Sequence, residues 1–145
     1  MYDDNVTARI QARQSWDKAR QGAFWEALIG LLPDRSNDLL SFEEVRNQLC
    51  LTQKMYRGLH EIPLSHIRGS VGRYRDFTMS FLPRSNDMQE RWERVNKIAS
   101  TQGVPPVEVY QVGEAYFVLD GNHRVSVARQ MGSDHIEAHV WEFST

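Results

Sequence analysis

The sequence predicts an α+β fold: a small mixed sheet with helices, preceded by an N-terminal helical region. Three observations carry this. Residues 5–32 contain no proline and are rich in Ala, Gln, Arg and Leu, the composition of a helix. The last 40 or so residues alternate between extended and helical patterns with glycine between them. The chain has 145 residues, 41% hydrophobic and 25% charged, enough for one ordinary globular domain plus a helical extension.

Taken in order, Asp4 or Asn5 can cap the first helix, and Gly22 is a candidate break within it. Pro33 and the polar run Asp34–Asp38 should stop it. Ser41 followed by Glu44 fits a capping box for a short helix to about Leu49. Ile62–Ile67 alternates as a short strand, and Pro63 confines it to a sheet edge. A glycine- and arginine-rich loop, Arg68–Arg75, should follow. Asp87–Ser100 predicts a helix with Met88, Trp92, Val95 and Ala99 on one face and Gly103 just past its end. Val107–Tyr110, a turn at Val112–Glu114, and Ala115–Leu119 form a hairpin. Asn122–Met131 has helical spacing with Val125, Ala128 and Met131 inward, and Ile136–Trp141 is a final strand. The expected division is a helical region over 1–58 and an α+β domain over 59–145.

Net charge is −2, which by itself gives no strong affinity for polyanions. The distribution is uneven: residues 1–50 carry 6 basic and 8 acidic side chains, residues 51–94 carry 8 and 5, and residues 95–145 carry 3 and 6. The middle third is therefore the candidate surface for phosphate. Arginine outnumbers lysine 14 to 3, and its planar fork suits phosphate. No apolar run approaches the roughly 18 residues of a membrane span. Met1–Asn5 lacks the pattern of a secretory signal, and the single Cys50 cannot form an internal disulfide. A cytoplasmic setting is the expectation, with Cys50 a buried, inert thiol.

The strongest chemical feature is Asp120-Gly121-Asn122-His123-Arg124, lying between a strand and a helix. A helix's first turn leaves backbone N–H groups without partners and with partial positive charge. Gly121 lets a ligand approach without a Cβ in the way, while His123 and Arg124 add donors. That is an anion site, most naturally one for phosphate. Equally, Asp120 or Asn122 could merely cap the helix. In the second feature, Arg68, Arg73 and Arg75 could neutralise phosphates beside Gly69, Ser70 and Gly72, and a polyphosphate needs donors from two sides. Asp120 sits beside the anion site, while Glu61 and Asp76 bracket the basic segment. Such carboxylates could deprotonate a hydroxyl or hold Mg²⁺. No metal site is expected from the histidines: His135 and His139, at ~3.3 Å per residue along a strand, are too far apart to share an ion.

The order Ile62-Pro63-Leu64…Ile67, helix, Pro106-Val107-Glu108-Val109, Tyr116–Leu119, Asp120–Arg124, Ala128…Gly132, Ile136…Val140 resembles the N-terminal domain of the ParB/sulfiredoxin superfamily over roughly residues 59–145. Gly69–Phe77 looks like a bacterial subgroup of ParB-like proteins. The resemblance implies a small α+β fold whose turn, here Gly121, His123 and Arg124, binds nucleotide phosphates. It implies a nucleoside di- or triphosphate as ligand, with Mg²⁺-dependent hydrolysis or phosphate transfer as the chemistry. Taken with the residue reading above, catalytic roles fall to Asp120 and Glu61, and phosphate contacts to Gly121, Asn122, His123, Arg124, Arg68, Ser70, Arg73 and Arg75, of which the resemblance itself supplies Gly121, His123 and Arg124. Asn122 stands where sulfiredoxins carry their nucleophilic cysteine, so sulfiredoxin chemistry is not expected. Serine kinases of this fold carry a glutamate where this chain has Gly69–Gly72. The chain stops at Thr145, where ParB proteins continue into a helix-turn-helix domain, so ParB-like operator binding is not expected either. A DNA-binding or nuclease-type regulator and a small-molecule kinase are the alternatives, and a homodimer through the N-terminal helix is a further expectation.

Overall fold

The computed structural model describes residues 2–30 and 38–144. The chain forms two compact units, Met1–Pro33 and Asp34–Thr145. The first is a single helix, α1 (Tyr2–Gly30). It runs unbroken through Gly22, where the expected break does not occur. An interior glycine costs a helix only about 1 kcal/mol relative to alanine. The stop expected at Pro33 and the end of the helix at Leu32 lie outside the described residues.

The second unit is a mixed sheet covered on both faces. Its described elements are β1 (Leu40–Ser41), α2 (Phe42–Leu49), β2 (Lys54–Pro63), β3 (Ile67–Ser70), α3 (Gln89–Gln102), β4 (Val107–Val112), β5 (Ala115–Asp120), α4 (Asn122–Gln130) and β6 (His135–Phe143). The strand order is β1-β3-β5-β4-β6-β2. β2/β6 and β4/β5 pair antiparallel, whereas β1/β3, β3/β5 and β4/β6 pair parallel. The α+β class and the mixed sheet are as the sequence predicts.

Pro63 does lie on an edge strand, but that strand begins at Lys54. It is built by pairing with β6 from Lys54↔Phe143 to Pro63↔His135, so tertiary pairing overrides a weak local pattern. The boundary expected at 58/59 therefore falls inside β2. Ile62–Ile67 is not one strand: a 3₁₀ turn over Leu64–His66 divides it. Arg68–Ser70, expected as loop, belongs to β3.

Alternating strand residues feed two cores. On one face Phe42 of α2 packs edge-on against Tyr110 and Phe117, at ring distances of 4.9 and 5.6 Å, with Phe143 at 5.0 Å. A Cβ on Gly69 would collide with Leu40 O and the Phe117 ring, so only glycine lets β3 pass here. On the other face Val107, Val109 and Val118 meet Val125 and Ala128 of α4, with Phe77 and Phe81 from the long β3–α3 connection. Met131, expected inward, is exposed, because α4 ends at Gln130 and the chain turns away at Gly132. Cys50 is exposed rather than buried. It terminates α2 with a left-handed backbone, φ 54°, which turns its side chain out of the packed face. Ser41 precedes α2 as expected, yet its side chain makes no capping bond.

Phe42 ties residues before the expected boundary to the sheet. Phe42→Ala should therefore destabilise this unit by about 3–5 kcal/mol, read as a lower urea midpoint with an unchanged denaturant slope.

Candidate functional site

The site is built where β5 ends. Val107, fully buried at the start of β4, lies directly beneath the β5–α4 turn. A Cβ on Gly121 would stand 2.5 Å from Val107 Cγ1, and the residue adopts φ +117°. Glycine is needed on both counts. The first bond of α4 runs from Val125 N to Gly121 O, 3.0 Å, and no side chain caps the helix. The amides of the turn's first residues thus precede the internal ladder.

Asp120, Gly121, Asn122, His123 and Arg124 line one cleft together with Val71, Arg73, Asp76 and Phe77 from the β3–α3 connection and Arg91 and Val95 from α3. Its volume is about 200 Å³. The expected pairing of the turn with Arg73 is therefore present in space. Arg91 and Asp76 complete the charged lining. Sequence reasoning passed over Arg91, although it stands one turn before Val95 on a helix whose inward face was legible.

His123 is the most perturbed cleft residue. Its ring lies edge-on to Phe77, 5.3 Å between centroids, and its buried Nδ1 has no hydrogen-bond partner. Burial depresses its pKa, and the positive charges of Arg91 and Arg73 depress it further, while Asp76 opposes them. The imidazole is therefore neutral near pH 7, in a positive field. Asp76 itself lies 3.6 Å from Arg73 Nε.

Arg124 does not project a free guanidinium. Its Nη1 donates to Pro106 O at 2.5 Å and its Nη2 to Asp120 Oδ2 at 2.8 Å. It ties the first turn of α4 to the end of β5 and the entry of β4. Asp120 is correspondingly an ion-pair partner. Ser70, fully buried, donates to Asn122 Oδ1 at 3.1 Å, so these two expected phosphate ligands strap β3 to α4.

Three expected site residues lie elsewhere. Arg75 is exposed, with its guanidinium 5.4 Å from the Tyr74 ring. Arg68 is half-buried in β3, close enough to Arg129 to depress that guanidinium's pKa beyond the effect of burial. Glu61 lies on β2, directly opposite Glu137. Two strands, β6 and β4, separate it from β5, a span of roughly 14 Å at ~4.8 Å per strand. Glu61 instead lines a groove with Arg57, His60 and Glu142 and cannot act with Asp120. Among the described residues, no group of three or more His, Cys, Asp or Glu could hold a metal ion.

No family model and no curated protein matches the chain. Among solved structures, sulfiredoxin from Arabidopsis thaliana is 25% identical over 57% of this chain and 82% of its own, with a TM-score of 0.43. C-terminally truncated chromosome-partitioning protein ParB from Caulobacter crescentus, complexed with CTP-γ-S, is 20% identical over 60% of this chain and 46% of its own, at 0.45. A Pnob8-like ParB-N domain is 13% identical over 65% and 32%, at 0.41. The chain thus spans less than half of either ParB chain.

Arg124→Ala removes both ties at the turn. It should cost about 1–3 kcal/mol of stability, measured by chemical denaturation. Arg124→Lys should restore only part of that, because an ammonium cannot span both acceptors as the guanidinium fork does.

Proposed function

We propose that the cleft binds the phosphate groups of a nucleotide. One observation supports this above the others. Two guanidiniums, Arg91 and Arg73, line the same cleft as a half-buried imidazole whose buried Nδ1 has no partner, beside a helix N-terminus that no side chain caps. Asp76, 3.6 Å from Arg73 Nε, offsets part of this positive charge, and an added anion would favour the charged forms of the rest. The enclosed volume, about 200 Å³, is below the ~300–1,000 Å³ usual for pockets that enclose a whole drug-sized molecule. It suits a phosphate chain, with the base and sugar left at the mouth.

Roles follow from placement. Backbone amides of Asn122 and His123 hold phosphate oxygens, Arg91 and Arg73 neutralise charge from the opposite wall, and Arg124 positions the turn. Asp76 is the carboxylate placed to meet Mg²⁺, which is held by one or two carboxylates together with substrate phosphates. Asp120, engaged by Arg124, is less available. This allotment favours binding over turnover.

Calorimetry of the full chain with CTP, ATP and pyrophosphate, with and without Mg²⁺, tests the reading. Binding of at least one is expected, and heatless titrations throughout would refute it. Arg91→Ala should weaken whichever binds by about 1.5–3 kcal/mol, tenfold or more. Sulfate, whose charge is constant between pH 5 and 8, isolates the role of His123. An anion raises the depressed imidazole pKa, so binding takes up a proton. Sulfate affinity should therefore rise as pH falls through the bound-state and then the free-state value. His123→Gln should flatten that profile.

A further inference from the structure

The charged and polar groups of the cleft come from three separate stretches of chain. His123 is on α4, Arg91 on α3, and Arg73 and Asp76 on the β3–α3 connection. One atom touches all three stretches. Ser126 Oγ, three residues beyond His123 on α4, accepts a hydrogen bond from Trp92 Nε1 at 2.9 Å and donates one to Phe81 O at 2.5 Å. Trp92 adjoins Arg91, and Phe81 follows Arg73, Asp76 and Phe77 in the same connection. Ser126 is completely buried.

We propose that Ser126 is a positioning residue for the anion cleft: its hydroxyl fixes the α3 wall and the β3–α3 wall, at once, against the α4 turn that carries His123. This rests on the phosphate-binding reading above.

The chemistry of the junction is specific. A hydroxyl supplies one donor and two acceptor lone pairs, so a single Ser126 can satisfy an indole N–H and a carbonyl together. Alanine satisfies neither, and the part-buried indole N–H would then lose its acceptor. Phe81 holds a left-handed backbone, φ 58°, a conformation non-glycine residues adopt only when their surroundings impose it. The bond from Ser126 to its carbonyl, and the Arg129 guanidinium 5.4 Å from its ring, are such surroundings. Without the hydroxyl, both walls are free to relax, and Arg91 and Arg73 drift from His123.

Two variants of the full chain remove the junction from opposite sides, Ser126→Ala and Trp92→Phe. Neither side chain lines the cleft. Pyrophosphate affinity is measured by calorimetry, and the His123 ring is titrated by NMR, its signal identified by its loss in His123→Gln. Both variants should bind roughly tenfold more weakly. In both, the His123 pKa should move up towards the ordinary histidine value as its burial lessens and the two guanidiniums withdraw. The double variant should lose little beyond either single one.

If the unaltered chain does not bind pyrophosphate, the phosphate reading fails and takes this inference with it. If it binds and the folded variants bind equally well, the inference alone is overturned. Either change without the other also overturns it: weaker binding at an unmoved titration means the walls stayed where they were, and a moved titration at full affinity means the walls do not hold the anion. Should Ser126→Ala fail to fold, Trp92→Phe decides by the same two readouts.

Discussion

The close approach of Val107 to the β5–α4 turn is the constraint on which the site depends. With Val107 Cγ1 2.5 Å from where a Cβ would stand, position 121 must be glycine, and its backbone takes φ +117°. A glycine there cannot cap the helix with a side chain. Asn122, the next residue with a polar side chain, is drawn to Ser70 at 3.1 Å. The packing that joins α4 to the sheet is thus also what leaves its first turn open. Arg124 offsets the missing cap mechanically, by returning to Asp120 and Pro106 O.

This divides the labour among the arginines. One guanidinium in the recognisable Asp120–Arg124 run is spent on the scaffold, and positive charge reaches the cleft from Arg91 and Arg73. Those two sit on the helix and connection that cover the sheet, as a second wall facing a fixed one. A polyanion gripped between two walls gains contacts from both only if their separation is set. Fixing it requires a tertiary bond between side chains distant in sequence, which is what the Trp92–Ser126–Phe81 junction supplies.

How much of this was legible in the sequence follows from how local each feature is. The β4–β5 hairpin, the glycine turn and α4 are short-range, and their residues declare themselves by spacing. The partnership of Arg73 with the turn could be inferred because a run of arginines and glycines is conspicuous. Glu61 was misplaced because sequence distance said nothing of the order β1-β3-β5-β4-β6-β2, which puts its strand at the far edge. Most of β3, Arg68–Ser70, reads as loop because Arg-Gly-Ser carries no alternation. They are extended only because β5 and β1 pair with them on either side. Arg91 was hidden among the charged residues of an ordinary amphipathic helix, where only docking against α4 gives it meaning.

His123 shows why the cleft is not well explained as structure alone. A buried nitrogen without a partner costs stability, and Arg91 and Arg73 disfavour protonation of an imidazole that burial already disfavours. Phe77, edge-on at 5.3 Å, satisfies none of this. An apolar residue at 123 would remove the first of these costs while keeping the Phe77 contact. On the phosphate-binding reading, an incoming anion reverses both effects. It supplies the charge that lets the imidazole take a proton, gives its nitrogens a reason to donate, and screens Arg91 from Arg73. Interactions that oppose folding in the free protein then become differential affinity for the bound state, the only quantity by which a ligand can stabilise a protein.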